Sequence, residues 1–228
     1  MRKKDFELLI FDLDGTLYPE KEQITRAFIN AAATMVSQVE KISQKQGREK
    51  IEEEKQKLGE KIAGNATYSL TLLTHWKVDI EEYAKAVSNN VKDLSKIIRK
   101  DQYAIQTMHK IAATYPVFLY TTNNRFLGAR ILDHIQMAEF FPKDRRFTIS
   151  SIKDLDIERS DIKDFIKPGK EGFKYITDRE GVNFDQVLMV GDSQTADIRP
   201  AEKLGMQTYH VSSRPDFYNL PSWLGLEG

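Results

Sequence analysis

Leu8-Leu9-Ile10-Phe11-Asp12-Leu13-Asp14-Gly15-Thr16-Leu17 decides how the chain is read. An apolar run ends in two carboxylates spaced two apart, and a glycine follows. A short continuous apolar run suits a strand buried on both faces, as in a parallel sheet. Open parallel sheets bind ligands beyond the carboxyl ends of their strands, so acids placed there point to chemistry. Asp12 can act as a nucleophile and form a covalent intermediate such as an aspartyl phosphate. Asp14 can protonate a leaving oxygen and later activate water, and Gly15 permits a tight turn at that edge. The D-x-D-G pattern also occurs in calcium loops. There the sixth position needs glycine and the twelfth glutamate, and here they are Leu17 and Gln23. The remaining rival is plain Asp-Gly turn chemistry.

The same pattern recurs along the chain. Phe6–Phe11, Val117–Tyr120, Phe147–Ser150 and Val187–Val190 read as buried parallel strands, with Gln207–Val211 a fifth candidate. Helical patterns over Tyr103–Ala113, Arg125–Ile135, Lys170–Arg179 and Ala196–Leu204 separate them. Strand alternating with helix predicts an α/β sheet with helices on both faces. From about Glu20 to Lys100 the alternation stops, and helix signals dominate. Ile24, Ala27, Phe28, Ala31 and Met35 recur at helical spacing, as do Ile80, Tyr83, Ala84, Val87 and Val91. Both stripes read as core. The charge run Arg48–Lys57 reads as a solvated helix face with i,i+4 pairs. So long a stretch is no plain loop and is best read as a helical insertion after the first strand. Asp154–Lys167 reads as a charged surface excursion. Ser212–Gly228 has no clear periodicity, so it either packs back over the core or frays.

Other strand ends supply partners for the two acids. Thr121-Thr122-Asn123-Asn124 follows Val117–Tyr120, and a hydroxyl with backbone N–H groups there can hold phosphate oxygens. An ordinary helix N-cap is the alternative, and both roles can coexist. Lys167, before Pro168, offers the fixed ammonium that a dianionic phosphate and a nucleophilic carboxylate jointly require. Val187–Val190 runs into Gly191-Asp192-Ser193-Gln194-Thr195-Ala196-Asp197. Asp192 can bind a hard cation beside Asp12, with Asp197 supporting the loop. Magnesium prefers oxygen ligands, and without a metal several acids converging on a phosphate would repel it.

Bulk properties narrow the function classes. The 228 residues suffice for one large domain or a core with a subdomain. Charge is balanced, 34 basic against 34 acidic residues, which favours neither a nucleic acid polymer nor an anionic membrane surface. No apolar stretch approaches a membrane span, and the basic start followed by a run broken at Asp12 is not a signal peptide. Absence of cysteine removes disulfides, thiolate catalysis and cysteine-ligated metals. A cytoplasmic enzyme is the expectation; monomer and homodimer are not distinguished.

Taken in order, Asp12-Leu13-Asp14-Gly15-Thr16, Thr122-Asn123, Lys167-Pro168 and Gly191-Asp192-Ser193-Gln194-Thr195-Ala196-Asp197 resemble the motifs of the haloacid dehalogenase-like (HAD) superfamily of phosphatases. The resemblance covers about two thirds of the chain. It implies a Rossmann-like parallel sheet core of three α/β/α layers, residues 1–18 and 101–228, with an all-helical cap at 19–100. It implies that Asp12 is the nucleophile and Asp14 the general acid and base. Thr122, Asn123 and Lys167 would grip the phosphoryl group, with Thr121 the fallback for Thr122. Lys170 and Lys174 are substitutes for Lys167, because the connection before Lys167 looks longer than is usual for the family. Mg²⁺ would be held by the Asp12 side chain, the Asp14 backbone carbonyl and Asp192. Gly15, Thr16, Gly191, Ser193 and Asp197 would support these residues. Asp14 argues against dehalogenase chemistry, since relatives that displace halide lack the second aspartate.

The function so implied is Mg²⁺-dependent hydrolysis of a small phosphate ester: a nucleotide, a sugar phosphate or a phosphoglycolate-type substrate. A phosphomutase or phosphotransferase would use the same core residues, and a non-catalytic phosphate-binding regulatory module is the third reading. Asp14-Gly15-Thr16-Leu17-Tyr18-Pro19 also looks like the opening of the pyrimidine 5′-nucleotidase-like branch. Within the helical insertion, Thr67, Tyr68, His75 and Trp76 are candidates to face the substrate.

Overall fold

The computed structural model describes residues 4–62, 66–158 and 161–226. Five parallel strands form one sheet: β1 (Leu8–Phe11), β2 (Val117–Tyr120), β3 (Arg146–Phe147), β4 (Val187–Gly191) and β5 (Gln207–His210). Their order is β3-β2-β1-β4-β5. Central Phe11 pairs with Leu119 on one side and Val190 on the other, so the residues after β1, β2 and β4 emerge at one edge. The chain builds outward from β1 to β3, then crosses to β4 and β5. A crevice therefore opens at the switch point beyond the strand ends.

Among the described residues, the segment between β1 and β2 contains helices and no named strand. They are α1 (Glu22–Glu40), α2 (Gln44–Lys61), α3 (Tyr68–Thr71) and α4 (Ile80–Asn90). After them come α5 (Gln102–Ala112), α6 (Arg125–His134), α7 (Ile162–Phe165), α8 (Glu171–Glu180), α9 (Arg199–Lys203) and α10 (Arg214–Trp223). Leu9 and Phe11 share one core with Met108 of α5, Leu127 of α6 and Phe217 of α10. Leu8 and Ile10 face the other side, with Phe173 of α8 and Ala201 of α9. Both faces of β1 are covered, which is why its sequence is a continuous apolar run. The result is the three-layer, Rossmann-like α/β/α arrangement expected from the sequence.

The helical insertion carries its own logic. On α1, Ile24, Ala27 and Ala31 are buried; on α4, Ile80, Tyr83, Ala84 and Val87 are. Ser43 and Gln46 form a reciprocal capping box that starts α2. A Cβ at Gly47 would lie 2.5 Å from the Ala33 carbonyl, so this glycine lets α2 pack closely on α1.

Several expectations are corrected. Phe6 lies outside β1, stacked on Trp223 instead. The third strand stops at Phe147, because Thr148 and Ser151 bond each other's backbone N–H and turn the chain into a 3₁₀ segment over Ile149–Asp154. Helix over Ala196–Leu204 is split: a π turn over Gln194–Ile198 precedes α9. Within Asp154–Lys167, a charged excursion in sequence, the described part includes α7, with Ile162 and Ile166 buried. For the tail, the first of the two expected outcomes holds: it packs back over the core as α10, with Phe217 and Leu220 buried, opened by Pro215, which suits a first turn that has no intrahelical partner for its N–H. Among the described residues, no helix is long and apolar enough to cross a membrane.

Asp101 joins α5 to α10. Its carboxylate caps α5 through the Ala104 N–H (3.1 Å) and accepts from Tyr218 (2.6 Å) and Arg214 (3.1 Å). Asp101→Ala removes a cap and leaves a guanidinium short of a partner, and should cost about 1–3 kcal/mol in urea unfolding. Burial alone would raise the Asp101 carboxyl, but the bonds from Tyr218 and the Ala104 N–H, with the Arg214 charge, hold it below its ordinary value. The stability it adds is fully present above the unfolded carboxyl pKa of about 3.9 and is lost as pH falls through the lowered native value. Unfolding measured below about pH 4 should therefore depend less on pH in the variant than in the wild type.

Candidate active site

Asp12 follows β1, its N–H bonded to the Val190 carbonyl of β4 at 3.0 Å. The residue is buried, and its Oδ1 accepts from Lys167 Nζ at 2.6 Å. Lys167 Nζ also donates to Asp197 Oδ1 at 2.5 Å. Asp197 Oδ2 in turn accepts the Ser193 N–H at 3.1 Å, and Ser193 Oγ accepts the Ala196 N–H at 3.1 Å. One buried ammonium thus links the end of β1 to the turn that follows β4 through two carboxylates. Lys170 and Lys174 are exposed and lie outside this network.

Asp14 is held separately. Asn123 Nδ2 donates to both of its oxygens at 3.1 and 3.2 Å, and the Tyr18 hydroxyl donates to Oδ1. Thr121 Oγ1 accepts the Asn123 N–H at 3.0 Å, while Asn124 caps α6 through the Phe126 and Leu127 N–H groups. Thr121 and Asn124 therefore shape the loop. Thr122 lines the cleft with Asp14, Asn123 and Lys167. Thr16 is fully buried, and its carbonyl accepts from Arg214 at 2.7 Å.

Two glycines are dictated by carboxylates. Gly15 has φ +88°, and a Cβ there would meet Asp192 Oδ2 at 2.2 Å. A Cβ on Gly191 would meet Asp197 Oδ2 at 2.4 Å. The Asp192 carbonyl is anchored by His210 Nε2 at 2.8 Å.

Asp12, Asp192 and Asp197 each offer an oxygen, all within 4.8 Å of one another. Three carboxylates against the Lys167 ammonium leave a formal excess of two negative charges in a largely buried place. Burial and like charge act together on these carboxyls. Burial pushes the Asp192 carboxyl up to about 6, with Asp197 adding to the rise. Burial also pushes Asp12 up, and the shared Lys167 only partly opposes this. Burial would lower Lys167, but its two carboxylates outweigh that and hold it well above the ordinary lysine value. Asp14 is raised by burial against the bonds from Tyr18 and Asn123. Such a donor set, all hard oxygens with uncompensated charge, fits a hard divalent cation. Asp197 is committed to Lys167 and Ser193, so Asp12 and Asp192 are the carboxylates left to face it.

The cleft lined by Asp14, Thr122, Asn123, Lys167 and Ser193 has a volume of about 310 Å³. Thr67 and Tyr68 line it. His75 does not, being 3.0 Å from Glu54, and Trp76 donates to Glu40 at 2.8 Å. Sequence reasoning missed Tyr18, Phe28 and Lys55 at this site. Tyr18 stands four residues after Asp14, which hinted that the turn could fold back. Lys55 lay hidden in the charge run Arg48–Lys57, where one member faces the cleft rather than bulk solvent.

Replacing Lys167 by Met would strand two buried carboxylates, which typically costs about 3–5 kcal/mol. Thermal or urea unfolding of metal-free Lys167→Met should show that loss. A variant as stable as the wild type would mean the ion pairs do not hold the strand ends together.

The model of the haloacid dehalogenase-like hydrolase family matches residues 9–211. Among solved structures, the chain is similar to the HAD phosphatase from Thermococcus onnurineus, with TM-score 0.58 and 20% identity, covering 97% of this chain and 99% of that one. It is also similar to 2-haloacid dehalogenase from Pseudomonas syringae pv. Tomato DC3000, with TM-score 0.59, 18% identity and coverage of 96% and 98%. A third is YfnB from Bacillus subtilis, assigned as a HAD hydrolase and bound to magnesium, with TM-score 0.51, 18% identity and coverage of 90% and 88%. At these identities the structural likeness speaks to fold alone. No curated protein matches the sequence.

Proposed function

The chain belongs to the haloacid dehalogenase-like hydrolases, and from that premise we propose that it is a Mg²⁺-dependent phosphatase acting on small phosphate monoesters. One observation carries the reading. Lys167 lies 2.6 Å from Asp12 in a carboxylate cluster, while Asn123 and Tyr18 hold a second acid, Asp14, at the same cleft. A halide-displacing enzyme has no leaving oxygen to protonate and no use for that second acid. The fold of the dehalogenase neighbour therefore does not extend to its reaction.

In this reading the Asp12 carboxylate attacks phosphorus, and the ester P–O bond breaks as Asp14 gives its proton to the departing oxygen. Lys167, with Thr122, holds the phosphoryl oxygens, while Asn123, expected from the sequence to join them, is taken up by Asp14 and Thr121 and keeps the acid in place. Asp14 then takes a proton from water, which attacks the aspartyl phosphate and frees Asp12 and phosphate. Burial and the helical insertion over residues 19–100, acting as a cap, keep bulk water from the intermediate. Asp12, Asp192 and the Asp14 carbonyl would hold Mg²⁺, which would supply positive charge against the carboxylates and the phosphoryl group.

The test is phosphate release with Mg²⁺ over nucleotides, sugar phosphates and phosphorylated acids, with Asp12→Asn as the blank. Turnover in the wild type and at least a thousand-fold loss in the blank, roughly the cost of removing a covalent nucleophile, supports the reading. Turnover equal in both ends it. Phosphate appearing on a second substrate molecule instead of free in solution marks a transferase or mutase. Independently, Mg²⁺ at about 100 times its dissociation constant should stabilise the wild type by about 2.7 kcal/mol. Asp192→Asn should remove most of that gain in a thermal shift, and an undiminished gain would place the cation elsewhere.

A further inference from the structure

The cleft contains a cation that the phosphoryl chemistry leaves unused. Lys55 of α2 lines it together with Phe28, Thr67 and Tyr68 from the same helical insertion. It is half-buried, with Nζ 5.0 Å from the centre of the Tyr68 ring. Tyr68 is itself fixed, since its hydroxyl donates to Glu52 at 2.6 Å. The acids beside Lys55 are thus engaged elsewhere: Glu52 with Tyr68, and Glu54 with Lys57 and His75. Glu20 lines the same cleft, and it is exposed and accepts from Thr25 Oγ1 at 3.2 Å. Among the described residues, Lys55 makes no ion pair.

We infer that Lys55 selects the substrate by pairing with an anionic group on the leaving portion of the phosphate ester, an assignment that rests on the phosphatase reading above. The phosphoryl group is taken by Lys167 and the strand ends, so an ammonium on the insertion faces what the phosphoryl group is attached to. A volume of 310 Å³ is at the low end of the roughly 300–1,000 Å³ usual for small-molecule sites, and it must hold both portions. The substrate class is therefore a compact monoester whose leaving group carries its own negative charge. Ile24 and Phe28 contact the carbon skeleton between the two charged ends.

Matched pairs of esters test this: 3-phosphoglycerate against glycerol 3-phosphate, phosphoglycolate against ethyl phosphate, and glucose 1,6-bisphosphate against glucose 6-phosphate. The first two pairs ask for a carboxylate and the third for a second phosphate. In the wild type, kcat/KM should favour the anionic member of at least one pair by about 10- to 100-fold, the usual worth of a charge-assisted bond. Lys55→Met should bring that ratio towards one, chiefly through KM, and Lys55→Arg should restore much of it. A ratio near one in the wild type overturns the inference. So does a ratio that survives Lys55→Met, or members of a pair that slow together in that variant, as they would if Lys55 merely supported α2. Those failures leave Asp12-dependent phosphate release standing. Absence of release from every ester removes the phosphatase reading and this inference with it.

Discussion

The Lys167 ammonium, buried between Asp12 and Asp197, is the contact on which the arrangement of this site turns. Two acids, one directly after β1 and one in the turn that follows β4, would repel each other in a place with little water. A single cation shared between them reverses the sign of that interaction. Buried ion pairs lose much of their Coulombic gain to desolvation, so such a pair is poor evidence of stability by itself. It does fix geometry, because each partner is costly to leave alone. Tyr120 adds a ring face 5.3 Å from the ammonium, and its hydroxyl bonds the Phe165 carbonyl just before the lysine. The lysine is therefore held from the sheet and from its own loop.

The compensation is incomplete, and the shortfall has a place. Asp192 lies within reach of Asp12 and Asp197, and no lysine or arginine among the described residues bridges it. Gly15 and Gly191 keep side chains out of the space beside these carboxylates. An all-oxygen donor set with uncompensated charge, and no side chain on the glycines beside it, is chemistry that suits a hard divalent cation.

A second set of contacts governs how the helical insertion is tethered. The insertion leaves the core after β1 and returns before α5, and Arg214 of α10 reaches both connections. It donates to the Thr16 carbonyl at one and to Asp101 at the other. Further on, Arg125 meets Glu81 at 3.0 Å, and Arg130 donates to the Ser88 and Val91 carbonyls at 2.6 Å. These contacts add an ion pair and hydrogen bonds to the apolar packing in which Val87 and Val91 share a core with Leu127 and Ile131 of α6.

The sequence by itself determined the strands, the parallel sheet, the helical insertion and the acids at the strand ends. Each of these is local or periodic: an apolar run buried on both faces must read as continuous, and a helix face repeats every three to four residues. Even local reading failed where short side-chain bonds compete with the strand, as at Thr148 and Ser151, or where Pro215 opens a helix without a clear apolar stripe. Tertiary structure alone decided who pairs with whom. Lys167 is 155 residues from Asp12 and 30 from Asp197. Asn123 meets Asp14 across 109 residues. Lys55 looks in sequence like its solvated neighbours, and only the packing of α2 turns it towards the cleft. Charge carries no periodic signature of its partner, because a Coulombic contact is set by position in space and not by distance along the chain.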